Sequence, residues 1–383
     1  MRSRLALTSL ALTLGAATGC ASDTAEPIPR TTQPTDLPSQ PTPSDDTSDD
    51  PGDDPGDDPG GAPQVVDTLV DRLEVPWGVD FLPDGAAVVT ERMSGRVLRV
   101  TADGEQDSLG SIAGAVPEGE AGLLGVAVSP TFDDDRTLFF YVTTGSDNRV
   151  LRAQLDDDLE LGDPEVVLDG IPNGFIHDGG RIAFGPDGYL YVSTGETGDP
   201  ELAQDPDSLA GKILRITPDG APAPGNPDPG SPVWSLGHRN VQGLAWDDRG
   251  RLWASEFGDS TWDELNLIEK GGNYGWPQVE GTGGGPDFID PQLVWPVEDA
   301  SPSGLAFADG RLWMAALRGR RLWRIDVSPA GRASEPKAFF TEDYGRLRTV
   351  AAAPDGLLWL TTSNRDGRGD PTPDDDRVLL VQP

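Results

Sequence analysis

Two histidines stand in 383 residues, His177 in NGFIHDGGRIAFGPDG and His238 in GHRNVQGLAW. An imidazole titrates near neutrality and can take a proton from a hydroxyl, so each is a candidate general base. Each can also be read as a packed histidine that only joins segments of the chain. Arg239 and Asn240 follow His238 directly. Two further runs concentrate arginine: ALRGRRLWR (316–324), with Arg318, Arg320 and Arg321, and YGRLRTV (344–350), with Arg346 and Arg348. A guanidinium fork suits carboxylate or phosphate, so in so acidic a chain we read these runs as meeting an anion rather than as surface charge. Leu347 separates Arg346 from Arg348 where a strand should begin. Alternation then sends both arginines to one face, expected to look into a pocket with Arg318 nearby and to need an anion to relieve their repulsion. EFGDSTWDELNLIEKGGNYGWP (256–277) adds carboxylates and a glycine-dense turn, and EGEAGLLGVAV (118–128) is a glycine-rich loop containing Glu120.

Other chemistries lack their residues. Two histidines and one cysteine are too few for a zinc site. No GxGxxG stands at a strand–helix junction, no Walker pattern occurs, and no nucleophile elbow marks a serine hydrolase. Acidic residues number 65 against 29 basic ones, a formal charge of -36, which argues against nucleic acid as a partner.

The residues that could act must be held by something, and the chain shows what. MRSRLALTSLALTLGAATGC (1–20) has arginines, a short apolar run and small residues before Cys20, the single cysteine. This reads as a secretory signal whose lipobox-like ATGC places a lipid on Cys20, giving an extracellular, membrane-anchored bacterial lipoprotein. Residues 21–64 are Pro, Thr, Ser, Asp and Gly, including DDPGDDPGDDPGG, and read as a disordered acidic tether. Residues 65–383 form one domain. Within it a turn, a short apolar strand, a loop and a second strand recur six times. The first halves include FLPDGAAVVTE, FGPDGYLYVSTGE, FADGRLWMAALRG and APDGLLWLTTS. The second halves are RVLRV, RVLRA, KILRI, ELNLI, RLWRI and RVLLV. Six units at this spacing predict an all-β fold, a six-bladed β-propeller with four-stranded blades, its last blade completed by strands from both ends of the domain. Loops at one end of the channel would then bring the distant motifs together.

The order GLLGVAVSP, HDGGRIAFGPDG, SLAGKILRITPDG, GHRNVQGLAW and DELNLIEKGGNYGWP resembles the soluble pyrroloquinoline-quinone (PQQ)-dependent glucose/sorbosone and aldose sugar dehydrogenases. That family is a six-bladed propeller. The resemblance implies that His177 is the catalytic base and that Arg239 and Asn240 contact the cofactor near its quinone. Arg318, Arg346 and Arg348 would grip the cofactor's carboxylates, with Glu120 beside it. Gly258 and Asp259 would hold the calcium ion bound to the cofactor, and Glu264 and Tyr274 would ligate a second, structural calcium. Four positions depart from the family pattern: Glu120 replaces glutamine, Arg318 lysine, Glu196 aspartate and Asp259, in some members, proline. The implied reaction oxidises the C1 hydroxyl of an aldose to a lactone and passes electrons to an external acceptor. Two other readings stay open on the residues alone: a calcium-dependent lactonase-type propeller, and a non-catalytic propeller that binds glycan or protein.

Overall fold

The computed structural model describes residues 61–383. The expected signal with Cys20, and residues 21–60 of the expected tether, lie outside the described residues. The described residues contain 24 strands and three short helical turns. The first strand, β1 (Gln64–Val70), belongs to the last blade. Blade one holds β2 (Pro76–Phe81), β3 (Ala87–Glu91), β4 (Arg96–Val100) and β5 (Gln106–Ser111). Blade two holds β6 (Leu123–Val128), β7 (Thr137–Thr143), β8 (Asn148–Gln154) and β9 (Glu165–Ile171). Blade three holds β10 (Ile182–Phe184), β11 (Leu190–Ser193), β12 (Lys212–Ile216) and β13 (Val233–Leu236). Blade four holds β14 (Val241–Trp246), β15 (Leu252–Glu256), β16 (Trp262–Ile268) and β17 (Leu293–Pro296). Blade five holds β18 (Pro302–Ala308), β19 (Arg311–Ala316), β20 (Arg321–Val327) and β21 (Ala333–Phe339). Blade six runs β22 (Leu347–Ala352), β23 (Leu358–Thr362), β24 (Val378–Gln382) and then β1, paired antiparallel from Gln64↔Gln382 to Val70↔Val378. The apolar stretch 64–81 is therefore two strands in different blades, and β2 packs on β22 to close the ring.

The aspartate–glycine turns fold for a local reason. Asp84, Asp187 and Asp355 each accept the amide of the residue two positions on, at 3.0, 3.2 and 3.0 Å, and glycine follows at positive φ. Strands between blades are buried on both faces, and alternation sorts their side chains. In β7, Leu138, Phe140 and Val142 face blade one, while Phe139 and Tyr141 face blade three. In β19, Leu312, Met314 and Ala316 face blade four, while Trp313 and Ala315 face blade six. Each interface between neighbouring blades has its own apolar cluster, so the core is a ring of six seams. The innermost strands β2, β6, β10, β14, β18 and β22 surround the channel, and the loops that lead into them share one end of it.

Candidate active site

His177 sits in the loop between β9 and β10, and the loop is tied down residue by residue. Asn173 Nδ2 donates to Thr144 O at 2.9 Å, Asn148 Nδ2 to Pro172 O at 2.9 Å, and Gly174 N to Asp178 Oδ1 at 3.0 Å. His177 itself has φ +59°, the left-handed region that side chains seldom occupy, and its amide donates to Glu120 Oε2 at 3.0 Å. Gly195 passes so close that a Cβ there would lie 1.9 Å from His177 O, so this crossing requires glycine. The imidazole is buried, and its Nδ1 lies 2.5 Å from Glu196 Oε1. Glu196 is fixed in turn by the Gly198 amide at 2.5 Å. A carboxylate only accepts, so Nδ1 carries a hydrogen, and in the neutral tautomer the lone pair lies on Nε2. Nε2 makes no hydrogen bond to any described residue. Asp178, beside it, has its carboxyl pushed up to about 6 by burial, against the bonds from Asn148 and Gly174.

The arginines converge on the same end of the channel, with partners the sequence did not announce. Arg346 meets Asp366 Oδ2 through Nε and Nη2, both at 2.9 Å, and Arg348 Nη2 reaches the same oxygen at 3.5 Å. Alternation does place both on one face. Their mutual repulsion is already relieved by Asp366, which corrects the expectation that an outside anion must do this alone. Burial works to raise the Asp366 pKa, yet Arg348 and Arg346 hold it below the usual carboxylate value. Arg348 is pulled down to about 9 by burial, with Asp366 opposing. It also donates to Ser363 Oγ at 3.1 Å and Gln242 Oε1 at 3.3 Å. Arg92 and Arg368 join the cluster: Arg368 Nη1 donates to Glu120 Oε1 at 2.9 Å, and Arg92 Nη1 to Gly119 O at 2.5 Å. Burial works against the Glu120 charge, but the His177 amide and Arg368 keep its pKa below the ordinary value. Arg318, in the turn between β19 and β20, is exposed and without an ion pair among the described residues. Arg320 and Arg321 pair with Glu342 at 3.0 Å and Asp299 at 3.5 Å.

Arg239 lies beside this cluster. Its guanidinium donates to Gly258 O at 2.5 Å, meets Asp259 Oδ1 at 3.1 Å, and lies 5.4 Å from the centre of the Trp276 ring. Asn240 Oδ1 accepts from Gly179 N at 3.0 Å, and its Nδ2 points to Glu120 Oε2 at 3.4 Å. The loop carrying Gly258 and Asp259 is gathered by Glu280, whose Oε1 accepts the amides of 259, 260, 261 and 262 at 2.7 to 3.1 Å. Asp263 accepts from Gly258 N at 2.9 Å, and burial pushes its carboxyl to about 7.

His238 belongs to a different cluster. It is fully buried, with Nδ1 2.8 Å from Glu256 Oε2 and Nε2 2.8 Å from Ser235 Oγ, and it stacks on Tyr274 at 4.7 Å. Both nitrogens are used, so it is a structural histidine. Tyr274 OH donates to Leu267 O at 2.7 Å and accepts from Glu269 N at 2.8 Å. Glu264 accepts from Asn266 Nδ2 at 3.0 Å and Gly281 N at 2.7 Å, so it shares no partner with Tyr274. Burial, reinforced by Glu256, pushes Glu264 to about 8. No group of three or more His, Cys, Asp or Glu is gathered to hold a metal among the described residues.

A larger cavity, about 670 Å³, opens at the far end of the channel between Phe81, Phe184, Trp246 and Phe307. None of the expected site residues lines it. Arg181 bridges the layer between this cavity and the His177 end, donating to Gln242 O at 2.9 Å and Thr349 Oγ1 at 3.0 Å.

The model of the family described as glucose/sorbosone dehydrogenase matches residues 73–377. The chain belongs to this family. Among relatives of this glucose/sorbosone dehydrogenase family member, the aldose sugar dehydrogenase YliI of Escherichia coli is 30% identical over 79% of this chain and 91% of its own. The quinoprotein glucose dehydrogenase B of Acinetobacter calcoaceticus is 33% identical over 56% of this chain and 52% of its own. The PQQ-bound aldose sugar dehydrogenase of Streptomyces coelicolor superposes with TM-score 0.82 at 54% identity, covering 84% of this chain and 98% of that one. The structural likeness to the Streptomyces coelicolor enzyme spans the propeller, and the six-bladed architecture expected from the repeats is the one observed.

Proposed function

We propose that the chain is a PQQ- and calcium-dependent aldose sugar dehydrogenase that oxidises the C1 hydroxyl to a lactone. One observation carries the proposal: His177 presents an unengaged Nε2, its Nδ1 held on Glu196, beside a cluster of arginines that outnumber their carboxylates. Arg92, Arg346, Arg348 and Arg368 lie within one another's fields with only Asp366 and Glu120 among them. The Nε atoms of Arg92 and Arg239 are buried without a partner. Excess buried cations and unused donors fit an anionic, carboxylate-bearing cofactor. The named relatives, a PQQ-bound structure and a quinoprotein, support the same group.

PQQ, when bound, supplies the acceptor for the two electrons and hydrogen that leave C1. Arg348, Arg346, Arg92 and Arg368 would hold its carboxylates, and Arg239 and Asn240 its quinone end. Calcium would be held by the Gly258 carbonyl and by Asp259, hard oxygen donors of the kind it takes, once the Arg239 guanidinium that now occupies both had turned toward the cofactor, and would supply a Lewis acid. His177 Nε2 accepts the proton of the C1 hydroxyl. As the ring becomes positive, Glu196 on Nδ1 stabilises it and fixes its orientation. Burial of the imidazole keeps bulk water from competing for that proton. The Arg239 guanidinium adds positive field where negative charge develops. A second calcium on Glu264 and Tyr274, implied by the resemblance, finds no shared geometry here, because each side chain has separate partners. Electrons then pass to an external acceptor. A lactonase of the metal-dependent kind would gather side-chain carboxylates on an ion in the channel, whereas the channel mouth here is lined by arginine.

The test is reconstitution. Purified apo-protein given PQQ and calcium should gain a bound-quinone absorbance, a higher Tm, and dye reduction with aldoses. Quinone that does not bind, or binds without sugar-dependent reduction, overturns the proposal. The sequence also supports a lipid anchor on Cys20 and an extracellular location. Cys20→Ser should then release the protein from the membrane fraction, and unchanged membrane association would refute the anchor.

A further inference from the structure

Phe175 is the most exposed of the large hydrophobic side chains among the described residues, at 69%. A single exposed apolar residue is ordinary. This one differs in where it stands and how it is held. It lies two residues before His177, so the two Cα atoms are at most about 7 Å apart. Its carbonyl accepts the Glu120 amide at 3.0 Å, while the Glu120 carboxylate accepts the His177 amide at 3.0 Å. One residue therefore clamps the backbone of both. Gly119 packs so tightly beneath that a Cβ there would sit 1.9 Å from Phe175 O and 3.0 Å from the ring's Cδ2. The ring is exposed, yet its backbone has little freedom left to lose on contact with a ligand.

We propose that Phe175 forms an outer sugar subsite, a platform on which the second ring of a disaccharide aldose stacks while C1 of the first ring faces His177. The proposal rests on the sugar dehydrogenase reading above. The oxidised carbon must reach the buried Nε2, so the opposite end of the sugar points outward toward the rim. A second ring would extend outward beyond the first, within reach of a side chain two residues from His177. The C–H face of a pyranose is apolar and slightly positive, and the aromatic face is negative, so stacking buries apolar area and matches charge. Phe175 is the only aromatic on this loop, residues 172–181.

The experiment compares the full chain, loaded with PQQ and calcium, on glucose and maltose. Phe175→Ala should raise KM for maltose about tenfold, leave KM for glucose within about twofold, and leave kcat unchanged for both. Phe175→Trp should keep the maltose KM. Val166→Ala, exposed on the outer strand of blade two, should change neither. An unchanged ratio of the two KM values, or an effect confined to the acceptor dye, overturns the subsite. Should the wild type oxidise neither sugar, the dehydrogenase reading fails by itself. The subsite is then read from fluorescence of Phe175→Trp over wild type. Maltose should perturb it at lower concentration than glucose, and no maltose-dependent change rejects the platform.

Discussion

The molecule builds the same pair twice. His177 faces Glu196 at 2.5 Å, and His238 faces Glu256 at 2.8 Å, each through Nδ1. The pairs differ at the other nitrogen. Ser235 Oγ occupies Nε2 of His238, and Tyr274 covers the ring. Nε2 of His177 is left open at the channel. A histidine–carboxylate pair is therefore not in itself a catalytic device, and it becomes one where the second nitrogen is kept free. The surroundings diverge in sign as well. The His177 end gathers arginines in excess of carboxylates. The His238 end gathers carboxyls, and burial together with Glu256 pushes Glu264 up to about 8.

The comparison breaks most visibly in turnover. His177→Ala should lower kcat by about two to four orders of magnitude while quinone titration and Tm stay near wild type. Retained turnover would remove His177 as the base. His238→Ala should do the reverse. It removes one of the donors on Glu256, leaving the Arg239 amide and Asn266 Nδ2, and should cost about 1.5–3 kcal/mol in denaturant unfolding, with kcat per folded molecule nearly unchanged. If His238→Ala instead abolished turnover in a stable protein, the two pairs would have exchanged roles.

Charge provides finer tests. Arg348→Ala should weaken quinone binding by about 1.5–3 kcal/mol, the scale of a hydrogen bond to a charged group. Apo-protein stability should change much less, because Arg346 still holds Asp366. Equal quinone affinity in wild type and variant would show that the cluster serves only the fold. The smallest effect concerns Glu264. Its folded pKa of about 8 lies above its unfolded value, so the native state holds a proton that the unfolded chain releases as pH rises past about 4. This group therefore contributes its stability at low pH and loses it progressively up to about pH 8. In calcium-free buffer, Glu264→Gln should flatten the fall of Tm between about pH 5 and pH 8, and a parallel profile would contradict the assignment.

The architecture was legible because each blade repeats its inner half. Apolar runs in all six units, with aspartate–glycine turns in four of them, mark the second and third strands. The outer strands were not legible. QDSLGS in β5 and ASEPKAF in β21 are polar and largely exposed, so they carry no hydrophobic signal and pair only because a neighbour offers an edge. In the site, His177, Arg239, Asn240, Arg346 and Arg348 lie in compact motifs. Asp366 and Arg368 lie in the long connection between β23 and β24, RDGRGDPTPDDD, whose composition reads as an ordinary surface loop. Arg92 lies in a tight turn after β3. Only the closed ring brings these to the arginines, and no local spacing encodes that meeting. Arg318 and Arg346 share a composition signal; Arg346 is buried on Asp366, while Arg318 is exposed in the turn after β19.

The pairing of β1 with β24 also sets an order of events in time. β1 is made first but has no partner until β24 has been synthesised. Until then the sixth blade cannot close, β22 lacks its full backing, and the seam against blade one remains wetted. Ring closure is thus a late step that depends on contacts between residues remote in sequence, which slows folding. A nascent chain that stalls before it carries two unpaired strand edges into solution, the configuration that invites strand exchange between molecules.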